Sequence, residues 1–148
     1  MTSSDPYDLD RFVRAQAADY DQALSELREG HKRSHWMWYI FPQMEGLGLS
    51  PMSRQYAIKS AAEARAYLDH AVLGPRLQEC ATVVYNIDGR SAFEIFGAPD
   101  DMKLRSSATL FASVSEGGIF EQIIQKYFEG QPDEKTLQSL RSTGERTA

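Results

Sequence analysis

The chain has one cysteine, Cys80, in 148 residues, which excludes an intrachain disulfide framework and any CxxC zinc pair. A reducing compartment suits such a chain. Long apolar runs are lacking too: no window approaches the roughly 18 apolar residues of a membrane-crossing helix. The acidic start MTSSDPYDLDRF has neither the basic region nor the apolar stretch of a secretory leader. A cytoplasmic protein without membrane association is expected. Positive charge is also short, with 16 Lys and Arg against 21 Asp and Glu for a net charge of −5. The broad positive field that drives binding to a phosphate backbone is therefore missing, and general nucleic-acid binding is not expected. The sequence contains no HExxH and no GxxxxGK[ST] pattern, so neither a zinc-protease helix nor a phosphate-binding loop of that class is read, and no metal or cofactor is expected.

What is present suffices for a core. Hydrophobic residues at 42% and charged residues at 25% are globular rather than disordered proportions. A chain of this length buries about 68 to 70% of its unfolded surface on folding. Leu9, Phe12, Val13, Tyr20, Leu24 and Leu27 recur at helical spacing, with Asp8 and Asp19 able to cap two consecutive helices and Gly30 to end the second. Ser34 can cap a short helix through HWMWYI that Pro42 stops, with a buried strand as the competing reading. Residues 43–52, QMEGLGLSPM, read as an irregular loop.

Ser60 with Glu63, and Ser91 with Glu94, have the form of capping boxes. Gly74 and Pro75 precede RLQECATVVYNI, whose β-branched end leaves residues 81–87 open between helix and strand. Asn86, Asp88 and Gly89 mark a turn. Pro99 sits where helices begin, ahead of DDMKLRSSATLFASV. After Gly117 and Gly118, the run IFEQIIQKYF puts Ile119, Phe120, Ile123, Ile124, Tyr127 and Phe128 on one face. Gly130 and Pro132 close it, and Asp133 can cap a last short helix, EKTLQSL. The expectation is an all-α fold, a compact single domain over residues 8–141 of about seven to nine short helices, with flexible termini at 1–7 and 142–148.

The segments RFVRAQ, GHKRSHWMWYIFPQMEGLGLSPMSRQYAI, EARAYLDHAVLGPRL, EIFGAPDDMKLRSSATLF and YFEGQPDEKTL together resemble the bacterial family catalogued as domain of unknown function 1810. The resemblance spans about residues 8 to 140. It implies a mainly helical fold and no established activity. Some members carry the label calpastatin, but the calpain inhibitor of that name resembles a set of disordered repeats, and this chain is neither disordered nor repetitive.

Three stretches hold residues suited to chemistry. In HKRSHWMWYIFPQ, residues 31–43, the aromatic side chains cannot all face one patch if the run is helical. Either they are core, with Trp and Tyr polar groups satisfied locally, or Trp36 or Trp38 stacks on a flat ligand while His35 and Lys32 or Arg33 meet its polar groups. His35 is the natural acid or base near neutrality. His31 and His35 have helical ligand spacing, but without a third ligand they do not make a metal site. In PDDMKLRSSATLF, residues 99–111, Lys103 and Arg105 can grip an anion that Ser106 or Ser107 hydrogen-bonds, with Asp101 as base. The plainer reading is an exposed Asp101–Arg105 ion pair with the serines bonded back to carbonyls. In the loop from Gly46 to Arg54, Gly46 and Gly48 allow close approach, Ser50 and Ser53 supply hydroxyls and Arg54 can clamp an anion.

Two functions fit these features. One is binding, with hydrolysis as an extension, of a nucleotide-like or ADP-ribose-like small anion. The alternative is a non-catalytic interaction domain or homodimer that docks through the apolar face of residues 119–128. A concave pocket lined by both polar motifs favours the first, and a flat exposed apolar patch the second.

Overall fold

A computed structural model describes residues 5–46, 50–115 and 118–147. Among the described residues the fold is all-α, with nine helices and no strand. They are α1 (Asp10–Glu29), α2 (Met37–Ile40), α3 (Pro51–Gln55), α4 (Ala61–Asp69), α5 (Leu73–Tyr85), α6 (Ala92–Phe96), α7 (Asp100–Ala112), α8 (Ile119–Phe128) and α9 (Glu134–Thr147). An isolated parallel bridge joins Met44 to Ile58 on either side of α3. Gly48 and Gly117 lie outside the described residues, as do residues 1–4 and 148 of the expected termini.

The N-terminal periodicity builds one 20-residue helix rather than two. Asp8 does not cap it: Asp5 accepts the N–H groups of Leu9 and Asp10 at 2.9 and 3.1 Å. Asp19 lies mid-helix, where its carboxylate accepts the Tyr39 hydroxyl. Gly30 ends α1 at φ 75°, a left-handed geometry that favours glycine. HWMWYI contributes the four-residue α2, not a strand, and Ser34 caps nothing there, because its hydroxyl and N–H both go to Glu26. The segment expected as a loop up to residue 52 gives way at Pro51 to α3, with Ser50 as its cap.

Residues 81–85 finish α5 as helix. Leu73, Leu77, Cys80, Ala81 and Val84 are all buried, and their spacing of three and four outweighs the strand preference of the valines. Gly74 in the first turn of α5 is required by space: a Cβ there would lie 2.1 Å from the Leu68 carbonyl oxygen. Ser91 and Glu94 form the full reciprocal box at α6. Asp133 caps α9, accepting the Thr136 N–H at 2.9 Å. That helix extends to Thr147.

The core joins α1, α4, α7 and α8 through a chain of edge-on and tilted aromatic contacts, with ring centroids 5.1 Å apart for Phe12–Tyr67, 5.4 Å for Tyr67–Phe111 and 5.5 Å for Phe111–Phe120. The apolar side of α8 packs against α5 and α7, burying Phe120, Ile123 and Ile124. Three charged side chains, those of Arg11, Glu63 and Glu26, are buried within this frame. Arg11 pairs with Glu63 at 2.8 Å and also donates to the carbonyls of Tyr7, Asp8, Gln55 and Ala57. Such an ion is tolerated because its donors are satisfied. The two Glu63 oxygens accept from Arg11 and from the Lys59 N–H, so the box at Ser60 is half made, with Ser60 accepting the Glu63 N–H at 3.1 Å.

Glu26, fully buried, accepts from the Gln22 amide, the N–H groups of Arg33 and Ser34, the Ser34 hydroxyl and the Trp36 indole. Burial alone would raise its carboxyl, but the bonds from Ser34, Gln22 and the Arg33 backbone outweigh it and hold the group well below the ordinary carboxylate range. A depressed folded value gives stability that is complete above the ordinary pKa of 4.5 and lost progressively as pH falls below it. Glu26→Gln turns an amide donor toward other donors, so it is expected to cost about 2 to 4 kcal/mol in denaturant unfolding at neutral pH. The same variant should flatten the acid side of the stability curve; an unchanged curve would show that another carboxylate governs it.

Candidate functional site

A cleft of about 520 Å³ opens where α2, α3 and the first turns of α7 and α9 meet. Its size falls within the roughly 300 to 1,000 Å³ of small-molecule sites. Because α2 is a single turn, Met37, Tyr39 and Ile40 go to the core while Trp38 stays half-buried and faces the cleft. Met102, Lys103 and Ser106 share one side of α7 and line the opposite wall. Ser50 and Ser53 enter from the start of α3, where the Ser53 N–H donates to Ser50 Oγ at 3.1 Å. The start of α9 supplies Asp133 and Lys135, and Gln43 stands beside Trp38.

A second hollow of about 30 Å³, room for one water on the usual scale, adjoins the cleft and shares Trp38, Gln43 and Ser53 with it. Gly46 and Arg54 also line it.

Charge at the cleft is organised by one carboxylate. Asp100 at the start of α7 meets Lys103 Nζ at 3.1 Å and Lys32 Nζ at 2.8 Å. Lys32 is almost fully buried, donates to the Ser34 carbonyl and lies 5.1 Å from the Trp36 ring centroid. Lys103 lies 4.5 Å over the Trp38 ring. Two cation–π contacts and two ion pairs thus connect Trp36, Lys32, Asp100, Lys103 and Trp38 in series. They tie the 31–38 segment to α7.

Of the residues expected to act, Trp38, Ser50, Ser53, Lys103 and Ser106 come together in the cleft, with Arg54 exposed at the adjoining hollow. The others do not join them. Trp36 is 1% exposed with its indole N–H bonded to Glu26 at 3.0 Å, so it cannot stack on a ligand. His35 is exposed and is not among the cleft residues. It precedes α2, so the helical spacing assumed for His31 and His35 does not arise. Asp101 accepts the Met102 N–H at 2.9 Å, while Arg105 donates to the carbonyls of Gln131 and Pro132. The Asp101–Arg105 pair is therefore not made, and Arg105 fastens the α8–α9 connection instead of an anion. Ser107 is 1% exposed, and its hydroxyl is without a hydrogen-bond partner among the described residues.

Gln43, Met102, Asp133 and Lys135 were not foreseen as site residues. Gln43 closes the aromatic stretch and could have been noticed there. Lys135 carries no local signal, since only the return of α9 to α7 brings it near Lys103. Asp133 Oδ2 is occupied by the Thr136 N–H and hydroxyl. Among the described residues no group of three or more His, Cys, Asp or Glu is placed to hold a metal ion, and no helix is long and apolar enough to cross a membrane.

The two tryptophans should behave differently in solution. In Trp38→Phe the remaining Trp36 emission should be blue-shifted and poorly quenched by acrylamide, whereas wild type should show a quenchable fraction. Equal quenching in both proteins would contradict the half-buried placement of Trp38. Ser107→Ala removes an unpartnered buried hydroxyl and should change stability by less than about 1 kcal/mol, in the stabilising direction. A clear fall in melting temperature would reveal a partner for that hydroxyl.

A family model described as "Protein of unknown function (DUF1810)" matches residues 6–140. Among solved structures the chain is similar to the conserved hypothetical protein Rv1873 from Mycobacterium tuberculosis, with 51% identity and a TM-score of 0.91 over 93% of this chain and 99% of that one. No curated protein matches.

Proposed function

We propose that this chain, which belongs to the DUF1810 family of proteins of unknown function, binds a small anion bearing a flat ring, nucleotide-like or ADP-ribose-like, in the cleft beside Trp38. The observation that carries the reading is the presence of Trp38, Lys103 and Lys135 on the walls of one cleft. An indole face suits a planar ring, and ammonium groups with Ser50, Ser53 and Ser106 beside them suit an anionic group. The starts of α7 and α9 add partial positive charge at the same place.

The reading stops at binding. His35 and Asp101, the residues first considered for proton transfer, are not part of the cleft wall. Asp133 is, but its Oδ2 already accepts two hydrogen bonds. A docking role for the α8 face is the weaker reading, since α5 and α7 already cover Phe120, Ile123 and Ile124. A bacterial, cytoplasmic setting belongs to the same proposal. Its support is the likeness to a mycobacterial protein and the free Cys80, buried with its thiol pushed up to about 12 by loss of solvent.

The test is a panel of AMP, NAD, ADP-ribose and sugar phosphates, read by thermal shift and tryptophan fluorescence. At least one compound is expected to bind saturably, with affinity reduced about tenfold or more in Lys103→Ala and in Trp38→Ala. Silence across the whole panel would overturn the reading.

A further inference from the structure

Asp100 has two ammonium partners that differ in freedom. Lys32 has a side chain only 6% exposed and a second acceptor in the Ser34 carbonyl, so it is fixed. The Lys103 side chain is 22% exposed, and beyond Asp100 its ammonium rests over the Trp38 ring. Removing a cation from a largely buried carboxylate ordinarily leaves an uncompensated charge. Here Lys32 stays behind at 2.8 Å. Lys103 can therefore leave Asp100 without stranding it, and in leaving it uncovers a face of Trp38.

This constrains what can occupy the cleft. A neutral ring that stacks on the covered face must displace an ammonium while offering it no new partner. An inorganic anion can draw Lys103 away but gains nothing from the indole. A ring and an anion joined in one molecule satisfy both groups at once. Resting on the binding reading above, we infer that the ligand is a planar ring carrying a single phosphate group, and that Lys103 moves from Trp38 to the phosphate as the ring takes its place on the indole. Lys135 in the first turn of α9 supplies the second ammonium on the cleft wall. The cleft wall carries these two ammonium groups against the Asp133 carboxylate, which suits one phosphate group, whereas a diphosphate with a free terminal phosphate would bring further negative charge.

AMP, adenosine and inorganic phosphate titrated separately into wild type, Lys103→Met and Lys103→Arg test this, with each variant's melting curve confirming that it folds. AMP should change tryptophan fluorescence saturably, and the change should vanish in Trp38→Phe. AMP should bind wild type at least about tenfold more tightly than adenosine or inorganic phosphate alone. Lys103→Met should bring AMP down to the affinity of adenosine, and Lys103→Arg should restore most of the difference. Adenosine binding as tightly as AMP, or AMP binding unchanged in Lys103→Met, would overturn the inference. So would silence with AMP: a saturable response to another anion of the wider panel would then leave the binding reading standing, and silence with all of them would remove both.

Discussion

Five donors converge on the Glu26 carboxylate, which sits near the end of α1 with no exposure to solvent. An isolated carboxylate in such a place would be excluded on desolvation grounds, and it is the density of hydrogen bonds that makes a buried charge acceptable. Three of those donors, the backbone of Arg33 and both groups of Ser34, come from the chain just after the Gly30 turn. The segment is thereby held in an irregular course against the helix it has just left. Trp36 completes the arrangement by putting its indole N–H on the same carboxylate and its ring in the core. The placement of one cleft wall follows from that anchoring, because Lys32 and Trp38 lie on either side of the fixed residues and both reach toward α7.

The sequence made the helices legible wherever burial has a period and a terminus has its own chemistry. Gly30, the Ser91–Glu94 box and Asp133 each do what their residue type suggests, because their partners lie within a turn or so. Two of the misreadings share one cause. Asp19 and Ser34 are competent caps by local rules, yet Asp19 is taken by Tyr39, twenty residues on, and Ser34 by Glu26, eight residues back. A polar side chain that can satisfy a helix end can equally satisfy a distant partner, and only the packed fold decides between them.

The site was legible in its neighbourhoods and not in its register. All three stretches singled out for chemistry contribute to the cleft or the hollow beside it, but the choice within each turned on which way a side chain points. Trp36 and Trp38 are two residues apart and face opposite fates, since the bond to Glu26 holds Trp36 inward just before α2 while Trp38 within it stays at the cleft. In α7 the working carboxylate is Asp100 rather than Asp101, one residue from the expected pairing, because Lys32 arrives from a segment 68 positions earlier in the chain. Periodicity alone has no access to that contact.

The net charge of −5 bears on the cleft less than it first suggests. A whole-molecule sum measures attraction to a long polyanion, whose charges sample the entire surface. A small ligand samples the groups within a Debye length, about 8 Å at physiological ionic strength. In and behind the cleft walls stand Lys32, Lys103 and Lys135 against Asp100 and Asp133, and the starts of α7 and α9 point there as well. On the cleft wall itself Lys103 and Lys135 outnumber Asp133, although Asp101 and Glu134 stand in the first turns of the same two helices. Distant carboxylates then act as a weak barrier to approach, while short-range pairing sets what stays. An acidic composition therefore argues against a long polyanion as partner and is silent about a small anion.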